Sequence, residues 1–398
     1  ERCLMRYRLF CVVLLLPFLQ PCPAATAETP ADLFQTTVFE AGQNDVTLYR
    51  IPGVAVTTRG TILAWCEARR KSQSDWGEIE VHLRRSADAG KTWSDPQHIA
   101  HHGPRIRGTS GNETADTEQT VNNPVAIIDR QTGAIEFLYC INYARCFSMR
   151  STDDGVTWSS PREITAAFAG FRSGCDWKVL ATGPGHGIQL RSGRLVVPVW
   201  LAYGGVRDHH PSVSATIYSD DHGQTWQAGA IVVPDTGEFQ DPNETVLTEL
   251  SDGRVMLISR NESKASRKLV AFSPDGASNW TTPVFHPDLW EPICMASVAA
   301  VPDRDGWVVF SNPHTLGRDK QGLEIPGGRG RRENLTLKLS QDFGRTWPVQ
   351  RTLEPGKSAY SDLAFLPDGR LLCFYEADKR LRLAVVPLAW LSGKDEQK

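Results

Sequence analysis

The sequence has little surplus of charge of either sign. Its 398 residues include 43 lysines and arginines against 46 aspartates and glutamates, which gives a formal net charge of -3 at pH 7. Proteins that bind nucleic acid cluster Lys and Arg against the phosphate backbone. We therefore expect no nucleic acid among the partners of this chain.

Long hydrophobic runs are missing from most of the chain. The run Leu9–Leu19 is too short to span a bilayer, and no later stretch approaches about 18 apolar residues. Arg6 and Arg8 precede this run and small residues follow it, as in an export signal. We predict a signal peptide at residues 1–27, a secreted or periplasmic protein, and no stable membrane insertion; a lipid anchor on Cys22 is the alternative.

Cysteine is sparse beyond that leader, and its spacing is not that of a metal site. The remaining cysteines are Cys66, Cys140, Cys146, Cys175, Cys294 and Cys373. They form no CxxC and no Cys/His pattern, so we predict no metal and no cofactor. Most are expected to be buried apolar side chains. Cys140 and Cys146 are close enough to face each other across a hairpin, and their pairing stays open.

Glycine, proline and tryptophan are abundant instead. The chain holds 33 Gly, 25 Pro and 12 Trp, and 40% of its residues are hydrophobic. This composition favours short strands and tight turns over long helices, with enough apolar residues for a large core. We therefore expect an all-β protein.

One octet, Ser-x-Asp-x-Gly-x-Thr-Trp, recurs along the chain. It occurs at Ser86–Trp93, Ser151–Trp158, Ser219–Trp226 and Ser340–Trp347, and a degenerate copy lies at Ser273–Trp280. The four complete copies start 65, 68 and 121 residues apart, so the degenerate copy falls within the longest gap. Such a regular repeat is the mark of an architecture built from repeated units.

The octet is interpreted as a hairpin turn. Asp binds nearby backbone N–H groups, Gly adopts positive φ, and Trp covers the base of the turn. A unit of about 60 residues with some four short strands is typical of a propeller blade. We predict that residues 28–398 form one six-bladed β-propeller.

Several further segments occur in an order that is specific as a whole. They are Tyr49-Arg50-Ile51-Pro52, Cys66–Arg69, Ser74–Gly77, Gly183–Leu190, Asn243-Glu244, Arg332–Leu335 and Ala359–Asp362. With the octets, which correspond to Asp boxes, these segments resemble the exo-α-sialidase (neuraminidase) family of glycoside hydrolases, in its secreted bacterial form. The resemblance extends from about Thr37 to Leu388.

The resemblance implies a triad of arginines that binds the carboxylate of sialic acid. Arg50, Arg260 and Arg332 match the positions of that triad. A guanidinium is always charged and donates two parallel hydrogen bonds to a carboxylate, which lysine cannot reproduce. Arg332 is selected by the Arg-Glu-Asn match from a cluster that also contains Arg329 and Arg331.

The resemblance places other residues in the substrate pocket. Arg69, adjacent to Arg70, is expected to contact the sugar near O4. Asn123 falls where some relatives carry an Asp that lines the pocket, so the way in which O4 and the N-acetyl group are held is open. Trp177 and the loop around His186 are pocket residues or, equally, packing and turn residues.

The resemblance also supplies the catalytic residues. Tyr360 matches the nucleophile, Glu244 its base, and Asp75, in a polar loop, the general acid/base. A neutral phenol suits an anomeric carbon that bears a carboxylate, because Asp or Glu would be repelled; a nearby carboxylate must then accept the phenol proton.

The expected function is hydrolysis of terminal α-linked sialic acids with retention of configuration. The partners would be sialylated glycans, glycoproteins or glycolipids, and the protein a monomer. Two alternatives remain at this stage. One is a non-catalytic propeller that binds sialoglycans, and the other is a trans-sialidase or anhydrosialidase of the same fold.

Overall fold

Strands dominate the protein. A computed structural model describes residues 33–100, 119–204 and 209–393. Strands make up 51% and helices 5% of these residues, so the prediction of an all-β chain is confirmed. The predicted leader at residues 1–27 lies outside the described residues.

The strands are numbered in chain order. The first thirteen are β1 Phe34–Glu40, β2 Leu48–Val56, β3 Ile62–Arg69, β4 Ile79–Ser86, β5 Gln97–Ala100, β6 Val121–Ile128, β7 Ile135–Ile141, β8 Arg145–Ser151, β9 Arg162–Glu163, β10 Val179–Thr182, β11 Gly185–His186, β12 Ile188–Gln189 and β13 Leu195–Ala202. The others are β14 Ser212–Ser219, β15 Gln227–Val233, β16 Thr245–Glu249, β17 Val255–Ser259, β18 Arg267–Ser273, β19 Val284–Trp290, β20 Ser297–Ala300, β21 Val308–Pro313, β22 Leu316–Arg318, β23 Glu324–Pro326, β24 Glu333–Ser340, β25 Val349–Phe365, β26 Leu371–Ala377 and β27 Arg380–Val386. The described helices are 3-10 turns at Gln43–Asp45, Thr165–Phe171 and Gly328–Gly330, and α1 Leu388–Ser392.

Four sheets of four or five strands form separate blades in a propeller-like arrangement. Their strand orders are β2-β3-β4-β5, β11-β6-β7-β8-β9, β10-β13-β14-β15 with β12 on β13, and β16-β17-β18-β19. Consecutive strands pair antiparallel through short turns, whereas β11 adds to β6 in parallel. Apolar side chains from neighbouring sheets pack into shared clusters, for example Leu63 and Trp65 of β3 with Phe137 of β7.

The remaining large sheet contains seven strands, in the order β1-β27-β26-β25-β24-β21-β20. Its long strand β25 pairs with β24 as far as Lys357 and with β26 from Ser358 onward. Because no turn interrupts β25, its two ladders lie in one continuous sheet and join the strands on either side of it. The prediction of six blades is therefore wrong; the structure has four separate blades and this seven-stranded sheet.

Each complete octet forms a hydrogen-bonded turn. In the first copy, Ser86 Oγ donates to Asp88 (2.8 Å) and accepts from the N–H of Gly90 (2.9 Å), where φ is 86°. Asp88 also accepts from the backbone N–H (2.9 Å) and hydroxyl (2.7 Å) of Thr92, and Trp93 Nε1 donates to the Gly90 carbonyl. The same Ser, Asp, Gly and Thr contacts recur in the copies at Ser151–Trp158, Ser219–Trp226 and Ser340–Trp347.

The octets and the residues proposed for catalysis lie at opposite ends of the strands. In the β16-β17-β18 ladder, Val255 pairs with Ser273, the first residue of the degenerate octet. At the other end Thr245 pairs with Ser259, directly after Glu244 and directly before Arg260. The strands therefore separate the octet edge from the edge that carries these two charged side chains.

The six cysteines of the described residues are buried and unlinked. Cys140 and Cys146 lie directly opposite each other in the β7-β8 ladder, as a hairpin requires, yet both thiols are free. Burial raises the pKa of Cys146 well above its usual value. Among the described residues, no helix is long and apolar enough to cross a membrane.

Candidate active site

A buried tyrosine–glutamate pair lies at the centre of the candidate site. Tyr360 Oη is 2.7 Å from both Oε1 and Oε2 of Glu244. Arg260 forms an ion pair with Glu244 and donates from Nη1 to Tyr360 Oη at 2.8 Å. The Arg260 N–H donates to the Glu244 carbonyl at 2.9 Å, which extends the β16-β17 ladder and holds the two side chains next to each other.

Burial keeps Tyr360 neutral. Loss of solvent and the neighbouring Glu244 carboxylate raise the pKa of Tyr360, and the opposing effects of Arg260, Arg332 and Arg50 do not cancel that rise. The phenol therefore donates its proton to Glu244 in a hydrogen bond and is not ionised near neutral pH.

The arginines predicted as a triad converge on Tyr360. Arg50 Cζ is 4.8 Å from the ring centroid and Arg332 Cζ is 5.2 Å from it, while Arg260 contacts the hydroxyl. Arg332 donates from Nε (3.2 Å) and Nη2 (2.6 Å) to the Ile293 carbonyl. Within the described part of the chain, no carboxylate forms an ion pair with Arg332.

The neighbours of Arg332 differ from it in position. Arg331 is exposed and pairs with Glu333 at 2.9 Å. The side chain of Arg329 lies outside the described residues. The structure thus brings Arg332, and not Arg331, to the phenol ring.

Glu376 is a site residue that sequence reasoning missed. Its carboxylate accepts from Arg50 Nε (3.0 Å) and Nη2 (3.3 Å), from the Ile51 N–H (3.0 Å) and from the Tyr360 N–H (3.3 Å). It therefore fixes Arg50 and Tyr360 relative to each other. The available signal was a charged residue in the apolar and wholly buried strand β26.

Asp75 lies beside Arg69 and Arg50, in the loop between β3 and β4. Its Oδ1 is 2.6 Å from Arg69 Nη2 and 3.6 Å from Arg50 Nη1, and half of its side chain is exposed. Partial burial raises the pKa of Asp75, but attraction to Arg69 and Arg50 outweighs this effect, so that the pKa is lowered. Asp75 is ionised in the free protein.

Arg69 is held in place by protein groups. It is 2% exposed, pairs with buried Glu67 at 2.9 Å and donates to the Gln73 carbonyl at 2.8 Å. Arg70 points elsewhere and donates to the Asn44 carbonyl. Arg69 is therefore the one that contacts Asp75, and Glu67 is a second residue that sequence reasoning missed.

Asn123 lies beside Glu67, but its side chain is turned to protein groups. Its N–H donates to Glu67 Oε1 (3.0 Å), and its amide binds the Thr182 carbonyl and Asn122. The side-chain amide of Asn123 is thus already hydrogen-bonded to protein groups.

The two residues that sequence left ambiguous are placed differently. Trp177 is a core residue, because its Nε1 donates to the Phe168 carbonyl and its ring packs on Phe168. His186 faces buried Asp362 at 2.7 Å, two residues after Tyr360 on β25.

Aromatic side chains adjoin Asp75. Trp76 and Tyr143 have ring centroids 4.8 Å apart, and Tyr143 also packs against Trp200 and His209. These rings give the Asp75 side of the site an apolar wall.

The described residues include one set of possible metal ligands. The ligand atoms of His210, Asp241 and Glu262 lie within 4.8 Å of one another. These residues come from three different loops, so spacing in the sequence could not reveal the set. The imidazole itself faces both carboxylates, with Nδ1 3.1 Å from Asp241 and Nε2 3.8 Å from Glu262.

The fold and the site together define a class of protein. A propeller-like fold with repeated octet turns carries, at the opposite end of its strands, an arginine-rich site with a buried tyrosine–glutamate pair. The BNR repeat-like domain family matches residues 60–373. The chain belongs to the sialidase/BNR family of glycoside hydrolases, as the resemblance predicted.

Curated relatives are named sialidases. The chain is 32% identical over 370 residues to a sialidase of Micromonospora viridifaciens, with 87% of this chain and 52% of the relative covered. It is 27% identical to a sialidase of Bacteroides fragilis, covering 85% and 62%, and 26% identical to Sialidase-3 of Mus musculus, covering 89% and 93%. The chain thus spans little more than half the length of the first of these relatives.

Solved structures share the fold. The Hadza microbial sialidase Hz136 superposes with a TM-score of 0.71 at 26% identity, over 89% of this chain and 69% of that one. The intramolecular trans-sialidase from Ruminococcus gnavus superposes with a TM-score of 0.68 at 16% identity, over 90% and 98%. At that lower identity the likeness concerns the fold alone.

Proposed function

We propose that the protein is an exo-α-sialidase, which hydrolyses terminal α-linked sialic acids with retention of anomeric configuration. The observation that carries the proposal is the buried Tyr360–Glu244 pair, with Oη 2.7 Å from both carboxylate oxygens, surrounded by Arg50, Arg260 and Arg332. The sialidases among the relatives support it.

In the first step the three arginines hold the carboxylate of the sugar, which lies on its anomeric carbon. Tyr360 Oη attacks that carbon while Glu244 accepts the phenol proton. The bond to the leaving oxygen breaks, and protonated Asp75 supplies the proton to that oxygen. A sialyl–tyrosine bond has then formed, and Asp75 is left as a carboxylate.

In the second step water attacks the same carbon from the vacated side. Asp75 accepts a proton from this water, and the bond to Tyr360 Oη breaks. Glu244 returns its proton to the phenol oxygen. Two inversions at one carbon give net retention, and the enzyme ends in its starting protonation state.

Asp75 must be protonated for the first step, although Arg69 and Arg50 lower its pKa in the free protein. A substrate carboxylate beside Arg50 adds negative charge and engages this guanidinium. Both changes weaken the stabilisation of ionised Asp75, so its pKa rises when substrate binds. The substrate thereby promotes the protonation state that its own cleavage needs.

The remaining proposals concern the substrates, the oligomeric state and the export of the protein. Its substrates would be sialylated glycans, glycoproteins or glycolipids, and it would act as a monomer without a cofactor. Residues 1–27 would direct export and be removed, leaving a catalytic domain of residues 28–398. Mass measurement of the exported protein tests the cleavage position, and light scattering tests the monomer.

Incubation with a mixture of α- and β-linked sialosides tests the activity. We expect release of free sialic acid from the α-linked compounds only, with the α-anomer detected first by NMR. The Tyr360→Phe variant should release none. Release of a 2,7-anhydro sugar would identify an anhydrosialidase, and transfer of the sialic acid to another sugar would identify a trans-sialidase. Binding without release would show a lectin-like protein.

A further inference from the structure

A buried ion pair lies behind Arg260 and Arg332, and no step of the proposed reaction uses it. Lys268 Nζ is 2.8 Å from Glu291 Oε2, and the two residues are 0% and 2% exposed. Desolvation of two charges offsets most of their attraction, so such a pair adds little net stability compared with apolar residues of the same size. The role of the pair is therefore inferred from the backbone groups that it positions.

Glu291 binds two backbone segments of the arginine site. Oε2 accepts from the Asn261 N–H at 3.1 Å, and Oε1 accepts from the Cys294 N–H at 3.0 Å. Lys268 Nζ also donates to the Cys294 carbonyl at 2.5 Å. The ion pair therefore holds Cys294 through both its N–H and its carbonyl.

Each of these segments adjoins an arginine contact. Asn261 directly follows Arg260, which binds Glu244 and Tyr360. Cys294 directly follows Ile293, whose carbonyl accepts both hydrogen bonds from Arg332. One buried pair thus fixes the backbone beside two of the three arginines.

Ile293 shows that this backbone needs support. Its φ is 54°, in the left-handed region that β-branched residues rarely adopt. Such a conformation is strained and persists only where surrounding contacts impose it. The bonds from Glu291 and Lys268 to the next residue are contacts of that kind.

We propose that Lys268 and Glu291 are positioning residues, which orient Arg260 and Arg332 to receive the carboxylate of the substrate. The inference rests on the proposed function, because it assigns that carboxylate to the arginines. It concerns affinity for the anionic sugar more than the chemical step, since the pair does not touch Tyr360, Glu244 or Asp75 in any described contact.

The double variant Lys268→Met with Glu291→Gln tests the proposal, because it replaces the ion pair by neutral residues of similar size. We expect KM for an α-sialoside, and Ki for free sialic acid, to rise by about tenfold or more through loss of charge-assisted hydrogen bonds. The value of kcat should change by less than about threefold. Glu291→Gln alone serves as the second variant if the double variant does not fold.

Glu136→Gln is the matched control. Glu136 is also buried and pairs with Arg150 at 2.5 Å, but it lies against Gly223 at the octet edge, where Arg150 also donates to the His222 carbonyl. Like Glu291→Gln alone, Glu136→Gln leaves a basic side chain without its anionic partner and should lose stability. It should nevertheless keep KM unchanged, with each protein assayed well below its Tm. An equal rise of KM in the Lys268/Glu291 variant and in Glu136→Gln would show that general destabilisation, and not a positioning role, causes the effect.

A rescue variant separates backbone support from charge. Glycine adopts positive φ without steric cost, so Ile293→Gly in the Glu291→Gln background should recover part of the lost affinity. An unchanged KM in the double variant would overturn the proposal. If the wild-type protein cleaves no sialoside, the proposed function fails by itself; calorimetric Kd values for sialic acid then test the positioning role, and an absence of binding overturns both.

Discussion

At the scale of single residues, Asp75 differs from its two proposed partners in catalysis. Half of the Asp75 side chain is exposed, whereas Tyr360 and Glu244 are buried. The exposed position suits a group that exchanges protons with a leaving group and with water, while burial suits a nucleophile that must stay neutral until it attacks.

Asp75→Ala therefore has a substrate-dependent effect. A natural galactoside leaves as a strongly basic alkoxide and needs a proton, so its kcat/KM should fall by the roughly 10²–10⁴-fold typical of general acid catalysis. An aryl sialoside with a nitrophenolate leaving group should lose far less. Steady-state assays of both substrates make the comparison, and equal losses would mean that Asp75 is not the proton donor.

Arg332→Lys tests the carboxylate site. Lysine keeps the charge but cannot both bind the Ile293 carbonyl with two N–H groups and face Tyr360, so kcat/KM should fall about tenfold to a hundredfold. The control is Arg331→Lys, at an exposed side chain paired with Glu333, which should leave kcat/KM unchanged. The opposite ranking would assign the carboxylate to Arg331.

Sequence could predict the residues that are proposed to contact the sugar, and not those that hold these residues in place. Tyr360, Glu244 and Asp75 stand in recognisable segments, and the structure brings them around one site. Glu376 stands within the apolar strand β26, and its partners lie on β2 and β25. Glu67 pairs with Arg69 on its own strand β3, but it also accepts from the Asn123 N–H of β6. Only the folded ladders show that such a carboxylate is paired, because a sequence does not give the register between distant strands.

At the scale of the element, the octet turns depend on ionised aspartates. Hydrogen bonds from the Thr92 hydroxyl and N–H lower the pKa of Asp88 to about 2, from its ordinary 3.8. Because the folded pKa is the lower one, this stabilisation is complete above about pH 4 and is lost as the pH falls toward 2. Asp88→Asn should therefore lower Tm at pH 6, and the difference from wild type should shrink between pH 4 and pH 2. A difference that is constant with pH would contradict this role.

The octets predicted the turns correctly, but they could not predict how the strands between turns would join. The repeat marks where hairpins close, and it contains no information on whether an outer strand ends before the next unit. Strand β25 does not end there, and its 17 residues belong to two ladders. The number of blades was therefore beyond what the repeat alone could determine.

At the scale of the whole molecule, strand β1 near the start of the chain closes onto β27 near its end. Phe34 pairs with Val385 and Glu40 with Arg380, and Val38 and Phe39 are buried. Deleting residues 28–41 exposes β27 as an edge and removes these two core side chains, at a cost of about 3–6 kcal/mol in the free energy of unfolding. Thermal denaturation followed by circular dichroism should show one strand-dominated transition for residues 28–398 and a Tm several degrees lower for the shortened chain. An unchanged Tm would show that the closing strand is dispensable.

The central claim is that Tyr360 forms a covalent bond to the sugar. A 2,3-difluorosialic acid tests it directly, because fluoride at C2 leaves readily while fluorine at C3 slows the second step. Proteolysis and mass spectrometry should find one sialyl adduct, on Tyr360, and none on the Tyr360→Phe variant. An adduct on Glu244 or Asp75, or no adduct from a protein that turns over α-sialosides, would contradict the account.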